Sequence, residues 1–495
     1  MSYSITRCSA GIAASETERP PVHPSMVALL AALTYRPRVR TALLLILAAC
    51  GTEPQLPDVS GYPELPADMQ RAGDPAKGYD YLVNGGYITC GIPQSAYDRV
   101  FGASDPGIPG RTGVNATLPY SYSAATSKEG VPVVSANCLT CHAGSINGQL
   151  VVGLGAADGD FTGNQAQYVD AAGQLITDPT EQAEFQRFDS RIHAVAPYVK
   201  TLTIGVNSAD SLTAALMAHR DPTTLAWSDT PMLDAPMIVA PVDVPPWWRM
   251  QKKHAMFYTA AGRGDHARIM MAASLLCTDS VDEASTIDAS FVDVRAWIET
   301  LTAPKWPFPI DAQLAAQGKP VFEQTCSRCH GTYGDGGTYP NLLIPADVVG
   351  TDPQLAAGTA EFSPAFVQWF ASSFWGEKSQ LSPQPGYVAP PLDGIWATAP
   401  FFHNGSVPTI AAVLDSSKRP TYWVRTSYDS TDFDQAAVGW NYTAITHGQA
   451  DEPTETARVK IYDTTLPGYG NTGHPYGDAL SDSDRRAVIE YLKTL

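Results

Sequence analysis

Two copies of the pattern Cys-x-x-Cys-His constrain this chain more than any other feature. They comprise Cys138, Cys141 and His142 in the first copy and Cys326, Cys329 and His330 in the second. Two thiols at this spacing can add across the vinyl groups of a haem, and the next His can bind the iron. A thioredoxin-like pair would not need the His, and a zinc site would not need it directly after both Cys pairs. The motifs therefore predict two covalently bound haem c groups.

The second axial ligand of each haem decides what that haem can do. A six-coordinate haem transfers electrons, whereas a haem with an open position can meet O2 or peroxide. The last Met of the sequence is Met271, so the region from Pro304 onward has no Met that could bind the second iron. Its remaining histidines are His403, His447 and His474. A His/His haem is therefore the expected state of the second site.

The beginning of the chain resembles a bacterial secretion signal. Three arginines precede a short apolar run at residues 41–49, which is far shorter than the roughly 20 residues that span a bilayer. The letters LAAC at residues 47–50 resemble a lipobox, which implies cleavage before Cys50 and a lipid on its sulfur; the alternative is an ordinary signal peptide with an incidental Cys. We therefore expect a leader over residues 1–49, export to the bacterial periplasm or cell envelope, and membrane contact only through a lipid anchor at Cys50.

Charge and the remaining cysteines limit partners and compartment. The formal net charge of −18 disfavours nucleic acid and anionic membrane surfaces. The expected partners are a small redox protein or a small-molecule substrate, together with O2 or hydrogen peroxide. Outside the motifs and the N-terminal region, only Cys90 and Cys277 remain. They could form a disulfide in an oxidising compartment or stay two buried thiols, and the sequence leaves both possibilities open.

The distribution of apolar residues predicts a mainly α fold with long irregular loops and few strands. Residues 50–75 are rich in Pro, which favours a tether between the lipid and the fold. Three prolines within residues 302–310 stop a helix and indicate a domain boundary. We therefore predict an N-terminal cytochrome c-like domain over residues 76–303 and a C-terminal cytochrome c domain over residues 304–495, each with one haem.

Capping residues predict where three helices begin. Asp265 and Asp311 each precede a stretch with apolar residues at helical spacing, and the second stretch leads into Cys326. Ser481 with Asp484 resembles a capping box at the start of the last helix. A helix, a Cys-x-x-Cys-His motif, a long loop and a terminal helix are the layout of a small c-type cytochrome domain.

The segment GIWATAPFFHNGSVPTI, residues 394–410, resembles the TAPYFHDGS signature of bacterial di-haem cytochrome c peroxidases and MauG. In those peroxidases a Met before the final helix binds the haem, and here His474 occupies that slot. This replacement, the motif spacing and the WW…KK…FY…GRG stretch are similar to the di-haem rubber oxygenases. The resemblance implies that His474 is the second ligand of the C-terminal haem. It also implies that His403 orders its loop or contacts a propionate.

For the first haem, the distal side stays open. The position equivalent to the peroxidases' distal His falls near Asp158, where no His is found. The oxygenase resemblance implies that His266 lies in the distal pocket, where it could hydrogen-bond a bound oxygen species or bind iron; the alternative is a helix-start residue that faces solvent. A Trp between the haems is common in this superfamily, which favours Trp248 as an electron relay without excluding Trp247.

Three functions are compatible with these features. In the first, which is similar to the rubber oxygenases, a haem on His142 activates O2 or peroxide, and a haem held by His330 and His474 transfers or stores electrons. His142, His266 and Trp248 are then the candidate catalytic residues. The second function is a di-haem peroxidase that reduces hydrogen peroxide. The third is a non-enzymatic electron carrier, which requires both irons to be fully ligated.

Overall fold

Four long helices form two pairs, and each pair brackets one Cys-x-x-Cys-His motif along the chain. The computed structural model describes residues 56, 58–235, 239–361 and 363–495, so the predicted leader and the Cys50 lipid site lie outside the described residues. The α-helices are α1 (Pro75–Asn84), α2 (Gln94–Val100), α3 (Leu139–His142), α4 (Gln165–Gly173), α5 (Pro179–Val195), α6 (Ala209–Ala218), α7 (His266–Met270), α8 (Val281–Ile298), α9 (Ala312–Thr325), α10 (Ser327–His330), α11 (Ala346–Val349), α12 (Gln354–Glu361), α13 (Ser363–Ser372), α14 (Ile410–Leu414), α15 (Glu455–Arg458) and α16 (Asp482–Leu492).

The strands are short and scattered. They are β1 (Ile92–Pro93), β2 (Tyr122–Thr126), β3 (Pro132–Ala136), β4 (Ala143–Ile146), β5 (Gln149–Val152), β6 (Gly262–Gly264), β7 (Leu343–Pro345), β8 (Ser379–Leu381), β9 (Gly386–Val388), β10 (Tyr422–Arg425), β11 (Phe433–Asp434), β12 (Gly439–Trp440), β13 (Tyr442–Ala444) and β14 (Ile461–Asp463). In the described part of the chain no sheet has more than three strands; the two largest follow the orders β1-β3-β2 and β13-β10-β14. Helix accounts for 39% and strand for 13%, which confirms the predicted mainly α fold.

The three predicted helix caps are present. The carboxylate of Asp265 accepts a hydrogen bond from the backbone N–H of Arg268 at the start of α7. Asp311 caps α9 in the same way, and the Ser481 hydroxyl accepts from the N–H of Asp484 at the start of α16. The predicted helix after Asp265 is shorter than expected, because the α-helical hydrogen bonding gives way to a 3-10 turn at Met271–Leu276.

A glycine lies at each long-helix crossing. Helix α1 packs on α8, and a Cβ built on Gly78 would lie 1.9 Å from the carbonyl oxygen of Asp293. Helix α9 packs on α16, and a Cβ built on Gly318 would lie 1.9 Å from the carbonyl oxygen of Ala487. In both pairs the two helix backbones approach so closely that a residue with a Cβ could not replace the glycine without moving them. The two motif regions therefore share one packing device.

Part of the segment predicted as a tether contacts the rest of the fold. Leu65 is buried, and its N–H donates to the carbonyl of Asn341. Arg71 forms ion pairs with Asp265 and Asp288 at 2.7 Å. The described residues form one compact unit, and the domain boundary near residue 303 stays a prediction.

Two further observations concern compartment and membrane. Cys90 and Cys277 form a disulfide between the strand region at β1 and the 3-10 turn before α8, so the pairing that the sequence left open is present. Within the described ranges, no helix has both the length and the apolar character needed to cross a bilayer.

Candidate haem centres

The second motif presents a preoriented imidazole. Helix α9 runs into Cys326, and α10 places His330 one turn later, where its N–H donates to the Cys326 carbonyl at 3.1 Å. The His330 Nδ1–H donates to the carbonyl oxygen of Pro390 at 2.8 Å. This bond fixes the tautomer and leaves Nε2 with a free lone pair. Burial lowers the pKa of His330, so the ring is neutral, as a metal ligand must be.

The ring of His474 faces the ring of His330. Their centroids lie 6.2 Å apart, with ring planes at 62°. Two imidazoles on opposite sides of one metal ion, each with a metal–nitrogen bond of about 2.0 Å, would have centroids roughly 6.3 Å apart. The observed spacing therefore fits a single iron between the two rings.

Backbone contacts hold His474 in this position although its φ of 48° lies in the left-handed region. Its N–H donates to the carbonyl of Val349 at 2.8 Å. The Arg419 guanidinium donates to the carbonyls of Gly473 at 2.6 Å and of His474 at 3.2 Å. Burial, with a contribution from His330, lowers the pKa of His474 to about 3. Its Nδ1 is buried and has no partner among the described residues.

The first motif has a different environment. His142 ends α3, and its ring stacks on Trp247 with centroids 4.6 Å apart and planes at 21°. Burial lowers the pKa of His142 to about 4, and its Nδ1 has no partner among the described residues. Within the described part of the chain, no other histidine ring pairs with that of His142. The two motifs therefore differ in what faces their histidines.

Two adjacent tryptophans link the surroundings of the two motifs. Trp247 stacks on His142, whereas the Trp248 indole N–H donates to the carbonyl of Asp393 at 2.8 Å. Asp393 lies three residues after Pro390, whose carbonyl binds the histidine of the second motif. The resemblance to the superfamily favoured Trp248 as the relay without excluding Trp247, because the sequence carries no signal that distinguishes the two. The stacking contact belongs to Trp247, and the relay role of either residue stays a prediction.

His266 is buried rather than solvent-facing, so the alternative of an exposed helix-start residue is wrong. Its backbone N–H donates to the side-chain oxygen of Gln70, and its Nε2 has no partner among the described residues. Burial lowers the pKa of His266 to about 4, with smaller contributions from Arg295 and Lys253. Its ring does not pair with that of His142, as a second axial ligand would, and its distal-pocket role stays a prediction.

Arg249 and Lys253 are two cations with no carboxylate partner among the described residues. Arg249 is almost fully buried and donates to the carbonyl of Asp393 and, at 3.5 Å, to Thr398. Lys253 is half-buried, and its ammonium makes one long contact, 3.5 Å to the carbonyl of Phe257. Burial, together with Arg249, lowers the pKa of Lys253 to about 8. The WW…KK…FY…GRG stretch contains Lys253 but gives neither residue a role, because their burial depends on contacts distant in sequence.

Lys252 and His254, the two residues that flank Lys253, both have partners. The Lys252 ammonium pairs with the Asp393 carboxylate at 2.7 Å. His254 Nδ1–H donates to the carbonyl of Leu65 at 2.7 Å.

His403 is likewise buried, stacks on Tyr387 with centroids 4.3 Å apart, and has a pKa lowered by burial to about 3. His447 stays partly exposed beside Glu452.

The thiols are available for attachment. Cys138, Cys141, Cys326 and Cys329 are free thiols, in contrast to the disulfide-bonded pair. The donor set fits haem c, whose propionates are anionic. It consists of free thiols at both motifs, neutral buried imidazoles, the His330–His474 spacing and two cations without a carboxylate partner in the described ranges.

The comparisons with known proteins agree with this assignment. Residues 386–424 match a family model described as RoxA-like, cytochrome c-like; this segment contains Pro390 and Asp393. The uncharacterized protein y4iM of Sinorhizobium fredii is 26% identical over 308 residues, which cover 53% of this chain and 66% of that protein. The uncharacterized protein y4iJ of the same organism is 30% identical over 263 residues, which cover 39% of this chain and 41% of that protein.

The chain thus spans less than two thirds of the length of either relative. The matched segment identifies a cytochrome c-like region similar to that of RoxA-like proteins, which implies covalently bound haem c and supports an oxidoreductase-type function.

Proposed function

We propose that this protein is an exported di-haem c-type cytochrome oxidoreductase of the rubber-oxygenase-like type. His142 would hold the first haem, and His330 with His474 would hold the second. The supporting observation is an asymmetry: the His330 and His474 rings face each other at 6.2 Å, whereas His142 faces no second histidine in the described ranges. When bound, the first haem would activate O2 or peroxide, and the second would transfer or store electrons.

The chain's own groups keep the ligands ready for iron. Because burial lowers the pKa values of His142 and His474 to about 4 and 3, both rings are neutral at pH 7 and bind metal without releasing a proton. The Pro390 carbonyl accepts the Nδ1–H of His330, which orients that ring and increases the basicity of Nε2. Arg419 holds the backbone at His474, so it acts as a positioning residue.

The tryptophan pair offers a short route for electrons between the two centres. It runs from the His142 ring to the stacked Trp247, along one peptide unit to Trp248, and through a 2.8 Å hydrogen bond to Asp393. The loop residues after Pro390 complete the route to the second centre. We propose that both tryptophans take part, with Trp247 in contact with the first axial ligand.

Arg249 and Lys253 would receive haem propionates. Each is a cation with no carboxylate within 4 Å among the described residues. A buried charge without a counterion is costly, and an anionic substituent of the cofactor would remove that cost.

The oxygenase version of the function is preferred to the peroxidase version because the family match is to RoxA-like proteins. Export is part of the proposal, with a leader over residues 1–49 and lipidation at Cys50. The disulfide between Cys90 and Cys277 supports it, since disulfides persist in oxidising compartments.

Haem counting and electron paramagnetic resonance (EPR) test the proposal on the purified mature protein. A pyridine haemochrome assay should give two haems c per chain. Low-temperature EPR, quantified per haem, should give one low-spin signal and one high-spin or oxygen-masked haem. His474→Ala should convert the low-spin signal to high spin. One haem per chain, or an unchanged spectrum in His474→Ala, would contradict the assignment, and two fully ligated low-spin haems would favour the electron carrier.

A further inference from the structure

A polar cavity of about 240 Å³ lies between two segments that are distant in the sequence. One wall comes from residues 145–158, after the first motif, and the other from residues 425–440, between β10 and β12. The polar side chains that line it are those of Ser145, Asp158, Arg425, Tyr428 and Ser430, and the Trp440 ring closes one side. The volume suits a small molecule of a few heavy atoms rather than a cofactor.

Arg425 is the unusual member of this lining. Its side chain is 92% buried, since its relative exposure is 8%. The guanidinium carbon lies 3.9 Å from the centre of the Trp440 ring and 4.7 Å from that of Tyr428. Burial lowers the pKa of Arg425 to about 10, while Tyr428 and Asp158 oppose that effect from a distance. In the described part of the chain no carboxylate lies within 4 Å of this cation.

The hydrogen bonds of the guanidinium are incomplete on one edge. Nη1 donates to the carbonyl of Ala157 at 2.8 Å. Nε is buried and has no acceptor among the described residues. Because Nε is shielded from solvent, a ligand meets this guanidinium at Nη2, which donates to none of the described residues. A hydrogen bond from a charged guanidinium to a carboxylate oxygen is stronger than one between neutral groups, so a carboxylate would be stabilised there.

We propose that Arg425 is the receptor for a carboxylate group in this cavity. Ser430 can add a hydrogen bond, because its hydroxyl oxygen accepts from the N–H of Gly148 at 3.0 Å while its own O–H donates to none of the described residues. Ser145 and Tyr428 carry two further hydroxyls on the lining. Asp158 also lines the cavity and repels any anion that enters, and it repels a dianion more strongly than a monoanion, so a monocarboxylate is favoured over a dianion.

The carboxylate can come from two sources with the same chemistry. A free small monocarboxylate can enter from solvent, and this is the source that the cavity volume favours. The other source is a propionate of the first haem, and this second version rests on the proposed function. The two sources predict different results for the haem-loaded protein. Its haem content is measured first, and that measurement tests the proposed function separately.

The test is calorimetric titration of the haem-loaded protein with acetate, at an ionic strength held constant with sodium chloride. Saturable binding is expected, and Arg425→Lys should weaken it at least tenfold because the planar fork is lost. Arg99→Lys makes the same change at an exposed position and should leave the affinity unchanged. Ser430→Ala leaves the guanidinium in place and should weaken acetate binding several-fold. It therefore tests the same cavity if Arg425→Lys does not fold.

The propionate version is read from resonance Raman spectra and from the reduction potential of the first haem. If acetate does not bind, but Arg425→Lys or Ser430→Ala shifts the propionate bending modes and that potential, the carboxylate receptor is confirmed with the haem as its source. If acetate does not bind and neither variant changes the Raman modes or the potential, the proposal is wrong.

Discussion

Replacing Gly318 by alanine should force the second helix pair apart. The added Cβ would lie 1.9 Å from the carbonyl oxygen of Ala487 and 2.3 Å from its carbon. Ordinary contact begins at 3.4 Å, so the atoms fall short of it by about 1.5 Å. The obstructing atoms belong to the backbone of α16 and cannot rotate away. Because α9 leads directly into Cys326, the shift would also reach the second motif.

The magnitude follows from two opposing effects. Overpacking a close contact costs about 1–3 kcal/mol, and a backbone obstruction favours the upper end. Alanine regains up to about 1 kcal/mol of helix propensity relative to glycine. The net effect of Gly318→Ala is therefore a loss of about 2 kcal/mol of unfolding free energy. Gly358 in α12 is the matched control, because no atom lies within 4 Å of its Cβ position. Gly358→Ala should stabilise by about 0.5–1 kcal/mol.

Urea unfolding of the haem-loaded protein, followed by far-UV circular dichroism, measures both changes. The midpoint should fall for Gly318→Ala and rise for Gly358→Ala, with similar denaturant dependence. The Soret absorption band of the folded protein should also shift in Gly318→Ala, and it should stay unchanged in Gly358→Ala. If Gly318→Ala is as stable as the unmodified protein, or if both midpoints move in the same direction, the close crossing of α9 and α16 does not exist as described.

Three further predictions address ligation, pH and the disulfide. His474→Met should raise the reduction potential of the second haem in spectroelectrochemical titration, since Met ligation raises haem potentials; an unchanged potential would contradict ligation by His474. Because the folded-state pKa of His403 is lowered to about 3, the unfolded state protonates first. The free energy of unfolding should therefore fall as the pH drops below about 6.5, and His403 contributes at most about 1.4 kcal/mol per pH unit to this fall. In His403→Phe the urea midpoint should depend less steeply on pH between pH 7 and pH 5. The double variant Cys90→Ser with Cys277→Ser should lose about 2–5 kcal/mol in the same assay, because the bond closes a separation of 187 residues; an unchanged midpoint would refute this.

Features encoded locally were predictable from the sequence. The caps at Asp265, Asp311 and Ser481 each depend on a side chain and an N–H three positions later, so spacing alone was enough. The mainly α fold followed from apolar periodicity in the same way. The early end of α7 was not predicted, because the 3-10 turn at Met271–Leu276 depends on packing against other elements.

Contacts between distant parts of the chain could not be predicted. The bond between His330 and the Pro390 carbonyl spans 60 residues, and the contact between Trp247 and His142 spans a still longer stretch of the chain. The buried guanidinium of Arg425 donates to the carbonyl of Ala157, which lies 268 residues earlier in the chain. No periodicity or motif encodes such pairings, so these groups carried no sequence signal of their own.

The two motifs follow the same local code but have different surroundings, and that difference is where functional specialisation would arise. Each motif places an imidazole one turn after its first Cys, so the motif alone cannot set a sixth ligand. At the second motif, a chain segment held by Arg419 brings His474 to face His330. At the first, Trp247 packs on His142 and no histidine faces it within the described ranges. Distant segments, rather than the motifs, would therefore determine which haem stores electrons and which one meets a substrate.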